Sequence, residues 1–175
     1  MPSSYTPLGV ELMVTGEQAG LWGDKTNTNL QLVEQAVAGY EEVSIAGGAG
    51  TTALTMSDGA ASNARNMVVK LTGTITGNRI VTVPDSMEKV YIVSNGTTGS
   101  FTVQFKTASG TGYTFVAADK SVRVLFADGT NIVDTGIINT SSTDTLTNKT
   151  LTTPTINGAT TTGAIANSAT IAGGT

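Results

Sequence analysis

The sequence predicts a mainly β protein with four parts: an extended N-terminal arm over residues 1–23, one short α-helix over 24–40, an antiparallel β-sandwich over 41–138 and a Thr-rich fibre shaft or linker over 139–175. Three observations carry that prediction. Charged residues make up 13% of the 175-residue chain, about half the usual share, while 32 residues are Thr and 21 are Gly. A hydrophobic period of two dominates the middle of the chain, punctuated by turn dipeptides. The first and last segments lack any periodicity able to build a core of their own.

The composition also narrows the chemistry. The chain has no Cys and no His. Thiol nucleophiles, disulfides, thiolate and imidazole metal sites, the Ser-His-Asp triad and the usual general base near neutral pH are therefore all missing. The expectation is a protein that is not an enzyme and holds no cofactor or metal. A formal net charge of -4 and a sequence pI near 4.6 argue against a nucleic-acid partner, which calls for clustered Lys and Arg. No run approaches the roughly 18 apolar residues of a membrane span, so no membrane insertion is expected. Met1-Pro-Ser-Ser-Tyr5 has neither the basic nor the apolar region of a signal peptide, which points to assembly in a cytoplasm.

Each element has its own justification. The arm carries Pro2, Pro7, four Gly and the only Trp. Its apolar residues Leu8, Val10, Leu12, Met13, Leu21 and Trp22 need a surface, supplied either by a partner or by the arm folding back on its own domain. From Asp24 the spacing turns helical: Leu30, Val33, Val37 and Tyr40 share one stripe, with Leu32 and Ala36 on a second beside it. Asp24 or Thr28 can cap its start, Thr28-Asn-Leu-Gln31 has capping-box spacing, and Gly39 suits a left-handed C-cap. A helix of roughly four turns is marginal alone, so packing must hold it, and two stripes suit contact with its own chain and with copies of itself.

Strands are predicted at 43–46, 52–56, 67–72, 79–83, 90–94, 101–106, 122–127 and 131–135, each with one buried face. Gly77-Asn78, Asn95-Gly96 and Asp128-Gly129 have hairpin chemistry and indicate a compact antiparallel sandwich or barrel. After Ile138, 13 of 37 residues are Thr, and Leu146, Leu151, Ile156, Ile165 and Ile171 recur at intervals of five to nine, with Thr161 filling the widest gap. One chain cannot build a core from so few apolar residues. Three copies wound about one axis can, and a flexible linker is the alternative.

Four further motifs carry weaker signals. Gly48-Ala-Gly50-Thr-Thr-Ala53 matches the dinucleotide fingerprint formally, but no helix follows it and position 70 is Lys rather than an acid, so a glycine-rich turn is the better account. Three N-glycosylation sequons are expected by chance in so Thr-rich a chain. Asp119, Asp128 and Asp134 could meet in loops around a hard cation, although solvated turn positions explain them better. Tyr113, beside Gly110 to Gly112, is the candidate aromatic for a sugar platform.

Three segments carry a family resemblance. Gly16-Glu-Gln-Ala-Gly-Leu-Trp22-Gly-Asp-Lys-Thr-Asn-Thr-Asn-Leu30, leading into Leu-Gln-Leu-Val-Glu-Gln35, resembles the N-terminal region of tail fibre proteins of tailed bacteriophages, particularly those of marine hosts. Asp144-Thr-Leu-Thr-Asn-Lys-Thr-Leu-Thr-Thr-Pro-Thr-Ile156 resembles a recurrent fibre-shaft motif, and 66–106 is similar to the β domain that follows the arm in such proteins. The resemblance implies a virion protein, a homotrimer whose proximal part docks on a tail, baseplate or adaptor protein while distal parts reach the host. On that reading Leu12, Leu21 and Trp22 form the tail-docking interface, and Leu30, Val33, Val37, Leu146, Leu151 and Ile156 form the trimer interface. Ending in Ala172-Gly-Gly-Thr175, the chain reads as the virion-proximal piece of a longer fibre or as a short adaptor. The alternative function is a carbohydrate-binding β-sandwich that itself recognises the host surface glycan.

Overall fold

The structure is a computed structural model and describes residues 3–137. Leu146, Leu151 and Ile156, with the whole expected shaft, lie outside the described residues. The described part is mainly β with one helix, as expected. A small antiparallel pair, β1 (Ser4–Tyr5) with β2 (Glu11–Leu12), precedes helix α1 (Trp22–Ala38). Nine strands follow: β3 (Tyr40–Ser44), β4 (Gly50–Ala53), β5 (Val68–Thr72), β6 (Arg79–Val83), β7 (Glu88–Asn95), β8 (Val103–Thr107), β9 (Gly112–Phe115), β10 (Val122–Asp128) and β11 (Ile132–Asp134). The 3₁₀ turn Asn63–Arg65 leads into β5.

The strands form two sheets, of order β11-β10-β7-β5-β3 and β4-β6-β8-β9. Their inner faces share one core. Val69, Leu71, Tyr91, Val93 and Leu125 come from the first sheet and Val81, Val83, Val103, Phe105 and Phe115 from the second. Tyr91 and Phe105 meet across it edge to face, with ring centroids 5.4 Å apart. Such a pair adds about 1 kcal/mol beyond the area it buries.

The pairing departs from expectation. Consecutive strands from β3 to β8 alternate between the sheets, and β3-β5-β7 and β4-β6-β8 pair in parallel. The path is a flattened solenoid of three coils: Val43 lies beside Leu71 and Leu71 beside Asn95, steps of 28 and 24 residues. Within these two sheets only the last strands are antiparallel, β9 against β8, β10 against β7 and β11 against β10, and they close one end of the stack. The expected antiparallel meander is therefore corrected to a mixed, largely parallel topology. Side-chain alternation reports which face is buried, and it is blind to which strand lies alongside.

The turn dipeptides divide accordingly. Asp128-Gly129 does make a hairpin, with the Asp128 carboxylate accepting from the Thr130 and Asn131 amides. Gly77-Asn78 and Asn95-Gly96 instead occupy corners where the chain crosses between sheets. There Gly47 bridges to Ile75 and Thr74 to Thr98, continuing the parallel ladder around the bend. Gly99 has φ +104°, and a Cβ on it would stand 2.2 Å from the Ile75 carbonyl oxygen of the coil beneath. Only glycine permits that approach.

Candidate functional site

The region singled out by the sequence, arm and helix, folds differently from its expected outline. The helix starts at Trp22, two residues early, and its N-cap is Leu21, with no side-chain cap from Asp24 or Thr28. Those residues lie inside the helix, where the Thr28 hydroxyl donates to the Asp24 carbonyl. Gly39 has φ -68° and is extended, so the expected left-handed cap is corrected as well. The chain leaves the helix straight into β3, and Tyr40 begins that strand instead of extending the helical stripe.

Part of the arm folds back on its own domain, while Leu12, Leu21 and Trp22 stay exposed. Glu11 is buried; its Oε1 accepts from the Gln18 side-chain amide at 3.1 Å and its Oε2 pairs with Lys25 at 3.0 Å. The Asn29 side chain accepts from the Glu11 amide and donates to the Glu11 carbonyl, both at 2.9 Å, imitating one step of a β ladder. Bonds from Ser3 and Lys25 hold the Glu11 carboxyl below its ordinary range, and Lys25 is raised in return. Leu8 packs against the main core.

Arg65 ties these pieces together. It is fully buried, and its Nε donates to the Leu8 carbonyl, one terminal nitrogen to the Gln35 side chain and the Ala60 carbonyl, and the other to the Ser57 carbonyl, at 2.6–3.0 Å. Arm, helix and the 57–62 loop thus converge on one guanidinium. Lys89 continues the cluster: its ammonium donates to the Arg65 and Asn66 carbonyls and sits 4.0 Å over the Tyr91 ring. Burial, with the nearby Arg65 charge, pushes Lys89 down to about 8. Sequence reasoning missed this group. The available signal was Arg65 as the one charge between Gly59 and Val69, a position the fold fills for a reason.

What the fold-back leaves uncovered is the helix. Of its 17 residues only Leu32 is buried. Leu30, Val33 and Val37 are 62%, 47% and 66% exposed, and Leu12, Leu21 and Trp22 are 51%, 52% and 63% exposed. Both expected interface sets within the described residues thus present apolar side chains to solvent, with Trp22 in the first turn of the helix instead of in a free arm. Val33 also borders a groove of about 580 Å³ walled by Leu8, Val10, Ser86 and Glu88.

The competing sites close on themselves. Asp119 and Asp134 do approach each other, but the Arg123 guanidinium lies between them, 3.5 Å and 3.9 Å away, and Asp128 is occupied in its own turn. Asp128 is the turn residue expected, whereas Asp119 and Asp134 belong to an ion-pair network instead of standing as solvated turn positions. Tyr113 is half-buried: its hydroxyl donates to Asp119 at 2.9 Å, its ring meets Phe115 edge to face, and Arg123 stacks over it. Burial and the Asp119 bond push its phenol up to about 12. No family model, curated protein or solved structure matches the chain. No helix among the described residues is long and apolar enough to cross a membrane.

Proposed function

We propose that this chain is a structural component of a bacteriophage tail fibre, or the adaptor for one, and that it works as a homotrimer anchoring the host-attachment apparatus. The observation that carries the reading is a helix that buries one residue in its own fold and holds six apolar side chains, with the adjoining arm, in solvent. A helix so weakly docked gains its stability from partners. Leu30, Val33 and Val37 would meet their counterparts in the trimer, while Leu12, Leu21 and Trp22 would enter a groove on a tail or baseplate protein. The Asp144 to Ile156 segment, with its resemblance to fibre-shaft sequences, supports the same reading. The mechanism is mechanical: the helix joint transmits load between the tail and whatever the chain extends toward.

Trp22→Ala tests it. Truncating a large exposed ring that anchors an interface costs roughly 2–4 kcal/mol of binding. Particles assembled with the variant should lose the protein in a salt and mild-detergent wash while the purified chain keeps its oligomeric state. Retention at parental stoichiometry would remove Trp22 from the docking surface.

A further inference from the structure

The groove beside Val33 has apolar walls from the arm and acceptors from the sheet. Pro7, Leu8 and Val10 line it on the arm side, Val33 closes it from the helix, and Ser86 and Glu88 supply its polar wall. Neither the Ser86 hydroxyl nor the Glu88 carboxylate has a hydrogen-bond or ion-pair partner among the described residues. Strand register sets a second carboxylate beside Glu88. Asp128 lies directly opposite it across β7 and β10, on the outer face of the sheet. The Thr130 and Asn131 amides hold that carboxyl below its ordinary range, so it keeps its charge. Like charges directly opposite one another destabilise a sheet, and a cation placed against them turns that cost into an attraction.

We infer that this groove seats an arginine of a different protein, its apolar stem along Leu8 and Val10 and its guanidinium on Glu88 and Ser86. The inference rests on the docking reading above and gives the tail-side partner a chemistry: a basic residue within an apolar segment. The arm joins the two contacts, because Val10 in the groove and the exposed Leu12 flank the buried Glu11 on one extended stretch. A three-carbon stem lies well on apolar walls while its charge stays at the polar one. A planar fork of donors suits two free acceptors better than a single ammonium does. Charge also decides against a second copy as the occupant. The only arginines of this chain, Arg65, Arg79 and Arg123, are all engaged within their own fold. Lys106, the described lysine whose side chain makes no ion pair or hydrogen bond in its own chain, lies on the outer face of the other sheet. Residues 138–175 add one charge of each sign, Asp144 and Lys149, and the whole chain stands at -4. A copy of this chain therefore brings more acid than base to an acidic groove.

Two blocked tripeptides, acetyl-Leu-Arg-Leu-amide and its citrulline counterpart, probe the groove in the full chain. Citrulline keeps the shape of arginine and removes its charge. In methyl NMR the arginine peptide should shift Leu8 and Val10, bind about tenfold tighter than the citrulline peptide, and weaken as salt is raised. Glu88→Gln should make the two peptides bind alike. Glu88→Lys turns the repelling pair with Asp128 into an opposite-charge pair, so the purified chain should melt no lower than the parent. Particles assembled with Glu88→Lys should nonetheless lose the protein in the wash used for Trp22→Ala. Equal binding of the two peptides to the parent, or a Glu88→Gln chain that still prefers arginine, would overturn the inference. So would retention of Glu88→Lys at parental stoichiometry beside loss of Trp22→Ala, which leaves the tail reading standing. A parent that takes up the arginine peptide as expected yet is absent from tail particles would overturn the tail reading alone.

Discussion

Arg65 sits in the interior and answers to oxygens of the backbone and of Gln35, with no carboxylate in direct contact among the described residues. Burial lowers its affinity for the proton and the charge of Asp58 offsets part of that, so it stays a cation. Its value is geometric: one planar fork joins the Leu8 carbonyl of the arm, Gln35 of the helix and two carbonyls of a loop. Arg65→Met keeps the stem and strands those acceptors without donors, which should cost about 3–5 kcal/mol in urea denaturation. Amides of residues 6–12 should then exchange nearly as fast as free peptide while those of β7 stay protected. An unchanged midpoint would mean that water replaces the guanidinium. Beyond the isolation of Arg65 as the one charge between Gly59 and Val69, this was not legible in advance, because a buried cation satisfied by carbonyls leaves no periodic trace and its partners lie up to 57 positions away.

For the helix, period and capping chemistry gave different quality of guidance. The apolar spacing located Leu30, Val33 and Val37 on one face and Leu32 on another, and the fold uses Leu32 alone for its own core. The capping expectation failed because Leu21 and Trp22 enter helical geometry before Asp24 is reached, and because Gly39 feeds directly into a strand. Two substitutions separate the faces. Leu32→Ala should destabilise the monomer by about 2–4 kcal/mol, since it opens a cavity where the helix docks. Val33→Asp should leave the unfolding of the monomer nearly unchanged, as the site is exposed, yet shift sedimentation toward lower mass by placing like charges together in a desolvated contact. A Val33→Asp chain of parental mass would confine assembly to other surfaces.

At the scale of the molecule, strand positions were legible and strand partners were not. Residues 79–83 form β6 with the bounds that alternation alone suggests, whereas the unequal coil steps of 28 and 24 residues hid the repeat. The strand Gly112–Phe115 was missed because four residues are too few to show a period. Charge is sparse enough that a few groups set the pH response. With no His, stability should be flat from pH 5 to 8. Lys89 is held at about 8 when folded, against about 10.4 when unfolded. Between those values the unfolded chain binds more protons, so stability rises with pH, by at most about 3 kcal/mol. Above roughly pH 10 Tyr91 and Tyr113, both raised by burial, keep protons that unfolded tyrosines release, and stability falls. On the acid side Asp85 and Asp128, lowered by backbone amides of Ser109 and of Asn131 and Thr130, lose their contribution as pH drops through the carboxylate range. Thermal melts should therefore peak near pH 10, and Lys89→Met should abolish the alkaline rise.

The stacked coils also make the domain a ruler. Strand β3, which follows the helix, forms the outermost rung at one edge of its sheet, and β11, from which the chain departs, forms the opposite edge. Each parallel rung between them advances the stack by about 4.8 Å. A coil copied between the second and third would meet the same kind of neighbour above and below, as repeats do in other solenoids. The distance from β3 to β11 is thus set in steps, and a duplication of some two dozen residues lengthens it by one graduation without redesigning either end.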